Sequence, residues 1–213
     1  MIYLIGGPPR CGKSTVAKVL SEKTGIPWIS TDAIECMVKP YISAEVIPEL
    51  FPKSYIRELT ASSNERMYTE YSAEEIALAY LKQGEVTHNA IDQYLLYLLA
   101  NEGEIIIEGY HLLPAFVSRL VSRHSQSNIG AIYMTKSKTD DFIDTICADK
   151  SSTCWVKNKS VSRDIYPKVA TMLSLLSRKI SAAALSDGLT VVEYRGDFQD
   201  QVSRGVASLT KLM

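Results

Sequence analysis

The chain has 213 residues, 46% hydrophobic and 22% charged, with 23 Lys+Arg against 24 Asp+Glu and a formal charge of −1. A folded chain of this size buries roughly 70% of the surface its unfolded form exposes, which suits one core with a small appended lid and excludes two large independent domains. Disorder needs low hydrophobicity with high net charge, and a protein that coats nucleic acid needs a basic excess; neither is present.

Strand and helix signals alternate along the chain. Ile2 to Ile5 is a short apolar run closed by Gly6-Gly7, and Val16, Val19 and Leu20 then recur at helical spacing up to Gly25. A second strand, Pro27 to Ser30, ends in Thr31-Asp32. Residues Pro40 to Ser72, with Pro40, Pro48 and Pro52 among scattered Tyr and charge, predict an irregular, partly helical insertion. Two helices follow, about Ala73 to Gln83 and Val86 to Asn101, the second with Ile91, Leu95, Leu98 and Leu99 on one face. The third strand, Glu104 to Glu108, holds three consecutive isoleucines, the pattern of a parallel strand covered on both faces. Pro114 opens a helix to about His124. A fourth strand near Asn128 to Met134 leads to a helix over Lys138 to Ala148. A polar stretch, Asp149 to Ser160, precedes a long helix from about Val161 to Ser186. Leu189 to Tyr194 is a fifth strand and Phe198 to Leu212 a final helix. Five apolar strands separated by helices imply an α/β fold: a parallel sheet with helices on both faces.

No stretch approaches the ~18 to 20 consecutive apolar residues of a membrane span, and the opening apolar run is too short for a secretory signal, so the expected location is cytoplasmic. Cys11, Cys36, Cys147 and Cys154 form no CxxC pair, and His88, His111 and His124 lie far from them in sequence. A shared zinc site or disulfide framework has no support, and the cysteines read as reduced packing residues.

The strongest chemical signal is Gly7-Pro8-Pro9-Arg10-Cys11-Gly12-Lys13-Ser14, which fits GxxxxGK[ST] between the first strand and the first helix. The glycines allow a path that aims backbone N–H groups inward, and the helix adds its positive end, so the loop through Thr15 is expected to cradle the phosphates of ATP. Lys13 is expected to reach the β- and γ-phosphates and the Ser14 hydroxyl to ligate Mg²⁺. The nearest match to a guanine-reading [NT]KxD segment, Asn158-Lys159-Ser160-Val161, lacks its Asp. Large mechanical ATPases place an Asp at the end of a buried strand, where this chain has Ile107-Glu108-Gly109.

Gly7 to Thr15, Ser30-Thr31-Asp32, Glu108-Gly109-Tyr110-His111-Leu112-Leu113-Pro114 and a basic segment before a long helix resemble, in that order, the small P-loop kinases of the adenylate and shikimate kinase type. Within that group the 108–114 segment, following the helix pair 73–101, is similar to the EGxHLxP segment of 2-phosphoglycerate kinases. The resemblance implies a three-layer α/β/α P-loop NTPase fold with strand order 2-3-1-4-5 and a lid at about 149–163 in a single 1–213 domain; the helical insertion read at about 40–72 has no counterpart in it. It also implies ATP- and Mg²⁺-dependent transfer to a small, anionic acceptor, 2-phosphoglycerate-like as a first guess. Rival readings are another P-loop phosphotransferase, acting on a nucleotide, sugar acid, antibiotic or nucleic-acid end, and a nucleotide-binding switch signalling through the insertion.

Several residues are candidates for the reaction. In similar kinases an acid at Asp32 holds Mg²⁺ through water or orients the substrate hydroxyl; the plain alternative is an N-cap for a helix from Ala33. Glu108 ends an isoleucine strand, so it must emerge at the ligand edge, toward magnesium or substrate, or find a partner. His111 is placed on substrate phosphate or in a simple polar contact. Arg10 stands where thymidylate kinases carry an arginine that faces the transferring phosphate, against a merely solvated side chain. Cys11 is a small filler unless the helix N-terminus depresses its thiol. Of the lid cations Lys150, Lys157, Lys159 and Arg163, Arg163 is the expected catalytic one. Arg195, in the turn after the fifth strand, is placed on the adenine. Oligomeric state is left open.

Overall fold

The computed structural model describes residues 1–124 and 128–211. Five strands, β1 (Ile2–Gly6), β2 (Trp28–Ser30), β3 (Ile105–Glu108), β4 (Ile129–Thr135) and β5 (Thr190–Glu193), form one parallel sheet in the order β2-β3-β1-β4-β5. This is the expected fold class and strand order. β1 sits at the centre and is wholly buried, as are the three isoleucines of β3 beside it. Burial of one such side chain contributes roughly 1.5 to 3 kcal/mol, which explains why these strands carry no polar residue until their ends.

The first helix, α1 (Lys13–Thr24), begins at Gly12 in the left-handed region and stops at Gly25, also left-handed, whose N–H returns to Ser21 O. α2 (Thr31–Val38) starts as soon as β2 ends, because the Ser30 side chain accepts from Asp32 N. The insertion is more helical than expected: two 3-10 turns, 39–41 and 44–46, then α3 (Ile47–Leu50), α4 (Pro52–Leu59) and α5 (Asn64–Glu70). Pro48 and Pro52 do not break these helices, since each occupies a first turn, where no N–H bond is lost. α6 (Ala73–Gly84) opens with a reciprocal capping box between Ser72 and Glu75. α7 (His88–Ala100) and α8 (Pro114–Arg123) flank β3 in sequence.

After β4 come α9 (Thr139–Ala148) and, within the stretch read as simply polar, the short α10 (Trp155–Asn158). The long helix α11 (Tyr166–Ser186) begins five residues later than Val161, because Pro167 fits only its first turn and Ser162 caps a separate 3-10 turn, 163–165. α12 (Phe198–Thr210) follows β5; the expected end of this helix, Leu212, lies outside the described residues. α1 packs on α12, whereas α11 packs on α6, α8 and α9. β4 shows the two faces by alternation: Ile132 and Met134 approach Gly205 of α12, while the Tyr133 hydroxyl points the other way and donates to Leu112 O. Among the described residues no helix is long and apolar enough to cross a membrane.

Candidate active site

The loop 7–14 leaves the carboxyl end of the central strand β1 and enters α1, the edge at which parallel sheets bind ligands. Gly7 is required there by both backbone and space: its φ is 129°, and a Cβ would lie 2.1 Å from Met134 O. Arg10 and Gly12 also take left-handed conformations, φ 66° and 87°, which folds the loop into a concave turn. Gly12 offers no capping side chain, so the first N–H groups of α1 remain available to an anion. Lys13 is buried and its ammonium spans the loop, donating to Pro8 O at 2.8 Å. Ser14 Oγ donates to Glu108 Oε1 at 2.9 Å, and Glu108 is paired in register with Ile5, next to the loop. A hydroxyl held by a carboxylate is the hard-oxygen donor set that Mg²⁺ prefers, and Ser14 and Glu108 fit that ion.

A cavity of about 350 Å³ opens over this loop, lined by Gly12 to Thr15, Arg10, Trp155 and Phe198 among others. Arg10 is tied into its wall: its guanidinium donates to Asp149 Oδ2 at 2.9 Å and to Thr145 O at 3.1 Å, binding the loop to the end of α9. The Ser151 N–H, with help from Arg10, holds the Asp149 carboxyl well below the usual range. Behind the wall Lys136, which follows β4, is fully buried; its ammonium donates to the Thr145 hydroxyl and lies 4.7 Å from the Tyr194 ring centre. Burial pushes its pKa down.

A second cavity, about 590 Å³, adjoins the loop at Pro9 and is lined by Asp32, Glu35, Lys39, Lys53, Arg57, Tyr80, Tyr110, Trp155 and Lys159 among others. Trp155 faces both spaces. Glu35 anchors the floor: it accepts from Gln83 at 2.8 Å, from Tyr110 at 3.1 Å and from His111 Nε2 at 2.6 Å, with Lys53 at 3.8 Å. Burial opposes its ionisation, but the bond from His111, the Lys53 charge and the Gln83 amide prevail and lower its pKa to about 2. An ionised Glu35 fixes the proton of His111 on Nε2, so in the neutral imidazole Nδ1 accepts from the Thr31 hydroxyl, 2.7 Å away. Gly109 permits this approach, since a Cβ there would meet Thr31 Oγ1 at 1.7 Å.

No family model matches the chain. A 2-phosphoglycerate kinase of Methanococcus vannielii is 30% identical over 144 residues, 66% of this chain and 44% of that protein. One from Methanothermobacter thermautotrophicus is 28% identical over 118 residues, 55% of this chain and 37% of that one. An uncharacterized protein of Dictyostelium discoideum is 30% identical over 122 residues, 57% of this chain and 14% of that one. The chain thus spans less than half the length of these curated relatives. The crystal structure of a gluconokinase from Sinorhizobium meliloti superposes with a TM-score of 0.54 at 12% identity, over 99% of this chain and 91% of that one. With the central strand, the loop and the sheet order, this decides the fold.

The chain has the fold of the small P-loop kinases. The kinase fold gathers some of the expected residues and not others. Lys13, Ser14, Thr15 and Arg10 line the first cavity and Asp32 the second. Asp32 is not an N-cap: Ser30 has that role, and the Asp32 carboxylate is 73% exposed. Arg10 is not solvated, being paired with Asp149. Cys11 is a filler, and burial pushes its thiol up to about 12, so the helix N-terminus does not activate it. Glu108 and His111 line neither cavity; both are buried and bond to Ser14 and Glu35 respectively. Arg163 also lines neither, because the chain before it is pinned to α5 by bonds from Val161 N and Ser162 N to Glu65 Oε1, leaving Arg163 exposed beyond. Lys157 is spent on Cys147 O and Asp149 O. Arg195 is exposed, and it is the Phe198 ring three residues on that lines the first cavity. Glu35, Lys53, Arg57, Trp155 and Phe198 were missed. Glu35 had an available signal in its i,i+3 spacing from Asp32 on one helix, and Phe198 had one in closing the 195–198 turn that the resemblance places on the adenine.

Proposed function

We propose that the chain is an ATP- and Mg²⁺-dependent kinase that phosphorylates a hydroxyl of a small anionic metabolite, with 2-phosphoglycerate the first acceptor to test. The observation that carries this reading is the pair of cavities meeting at the loop, one at Lys13 and Ser14 and the other, rich in cations, at Pro9. The relatives named 2-phosphoglycerate kinase support the choice of acceptor.

Phosphoryl transfer asks a protein mainly for position and charge neutralisation. Lys13 and the N–H groups of the loop and α1 supply the positive surface for the phosphates. Ser14, with Glu108 behind it, would hold Mg²⁺, which when bound would add to the neutralisation of the developing charge. Asp32, exposed in the acceptor cavity, orients the acceptor hydroxyl and takes its proton as the oxygen forms its new bond to phosphorus and the bond to ADP breaks. His111 and Glu35 act from beneath, fixing the end of β3 against α2. Trp155 and the turn 149–154 form one wall of the first cavity. Hydroxyl-bearing acids, phosphorylated acids, sugar acids and nucleosides offered one at a time with MgATP test the reading. ADP release is expected to rise with an anionic hydroxy acid. An ADP release unaffected by every acceptor would contradict it.

A further inference from the structure

The geometry points to an anion subsite, formed by Arg57 and Lys159 and held in place by Asn64, that binds the non-reacting carboxylate or phosphate of the acceptor. It rests on the kinase reading and assigns the recognition of the acceptor within it.

Arg57 on α4 and Lys159 just after α10 line the same cavity, and among the described ion pairs neither has a carboxylate partner. Lys53, by contrast, already has Glu35. Glu58 lines the cavity too but joins neither cation. Two unpaired cations facing one space raise each other's energy until an anion enters. Consistently, the Lys159 ammonium holds its proton less firmly than usual, through burial first and the Arg57 charge second.

The pair is built rather than incidental. Asn64 is fully buried and spends its whole side chain on the arrangement: Oδ1 accepts from Arg57 at 2.6 Å, while Nδ2 donates to Val156 O at 3.0 Å and Ser160 Oγ at 2.9 Å. Its backbone N–H donates to Lys159 O at 2.8 Å. One asparagine therefore fixes both the guanidinium and the segment that carries the ammonium. The Arg57 guanidinium also lies 5.5 Å from the ring centre of Trp155, the residue shared with the first cavity. Filling the subsite places an anion beside the wall between the two cavities, with the acceptor's remaining length directed toward Pro9 and Asp32.

The test uses Trp155 as its reporter. The sequence has two tryptophans, so Trp28→Phe leaves Trp155 alone. Its fluorescence is followed while 2-phosphoglycerate, inorganic phosphate, glycerate or uncharged glycerol is added. The anions are expected to change the signal and glycerol is not; a response to phosphate without glycerate marks the phosphate as the bound group, and the reverse marks the carboxylate. Lys159→Gln, at an exposed position, and Arg57→Gln are each expected to weaken the anion at least tenfold, Lys159→Arg to retain it, and Lys159→Gln to leave the affinity for an ATP analogue unchanged. Anion affinity equal to the parent in both glutamine variants would overturn the subsite. Phosphoryl transfer with an unaltered acceptor KM in Lys159→Gln would also overturn it, leaving the kinase reading standing. Anion binding that depends on Lys159, with no acceptor ever phosphorylated, would keep the subsite and remove the kinase reading.

Discussion

Lys13 and Arg10 show how differently two cations of one loop are used. Lys13 has no carboxylate partner among the described ion pairs, only Pro8 O, whereas Arg10 is already held by Asp149. Lys13→Ala is expected to lower phosphoryl transfer at least about a hundredfold in steady-state assays, the scale of removing a charge aimed at the transition state. Arg10→Ala is expected to lower the maximal rate more than ATP affinity; kinetics paired with equilibrium nucleotide binding show which falls. His88 supplies a pH signature instead. Stacked on Phe116 and bonded through Nε2 to His111 O, it is kept neutral by burial, which lowers its pKa from 6.5 to about 4. The unfolded chain takes up this proton below 6.5 and the folded chain does not until about 4, so stability present above 6.5 is lost as the pH falls between those values. His88→Gln, which keeps an N–H donor and cannot titrate, is expected to flatten the decline of Tm across that window.

At the scale of elements, α5 and the segment around α10 form one unit through Asn64. Asn64→Ala removes the acceptor of the Arg57 guanidinium and one of two donors to Val156 O, the Ser160 hydroxyl being the other, with an expected loss of ~1 to 3 kcal/mol in denaturant unfolding. The same variant is expected to raise the acceptor KM while ATP affinity stays constant. Here the sequence is legible only in part. The loop 7–15 can be read because its function lies in consecutive residues with a strand before and a helix after. The insertion could not, because Lys53 and Arg57 gain meaning only when α4 meets α6 and α10 across the cavity. Pro48 and Pro52 read as breaks and proved to be helix starts, and Pro167, read as lying inside a helix from Val161, marks that helix's first turn, where a proline costs no hydrogen bond. Arg163 had the right charge on the right segment, but Glu65 fixes the backbone before it so that Lys159, not Arg163, meets the cavity.

For the whole molecule, the parallel order β2-β3-β1-β4-β5 brings the ends of β1, β2 and β3 to one edge, with the loop, Asp32 and Glu108 adjacent there. Near-neutral composition thus conceals a local cationic region around Lys13, Lys39, Lys53, Arg57 and Lys159. The central claim is that these two cavities work as donor and acceptor sites of one transfer. The most direct measurement is ³¹P NMR of the protein with MgATP and 2-phosphoglycerate, alongside Lys13→Ala. A new phosphomonoester resonance is predicted to grow in step with ADP and to be absent from the variant. ATP consumed to inorganic phosphate alone, at a rate the acceptor does not change, would contradict the account.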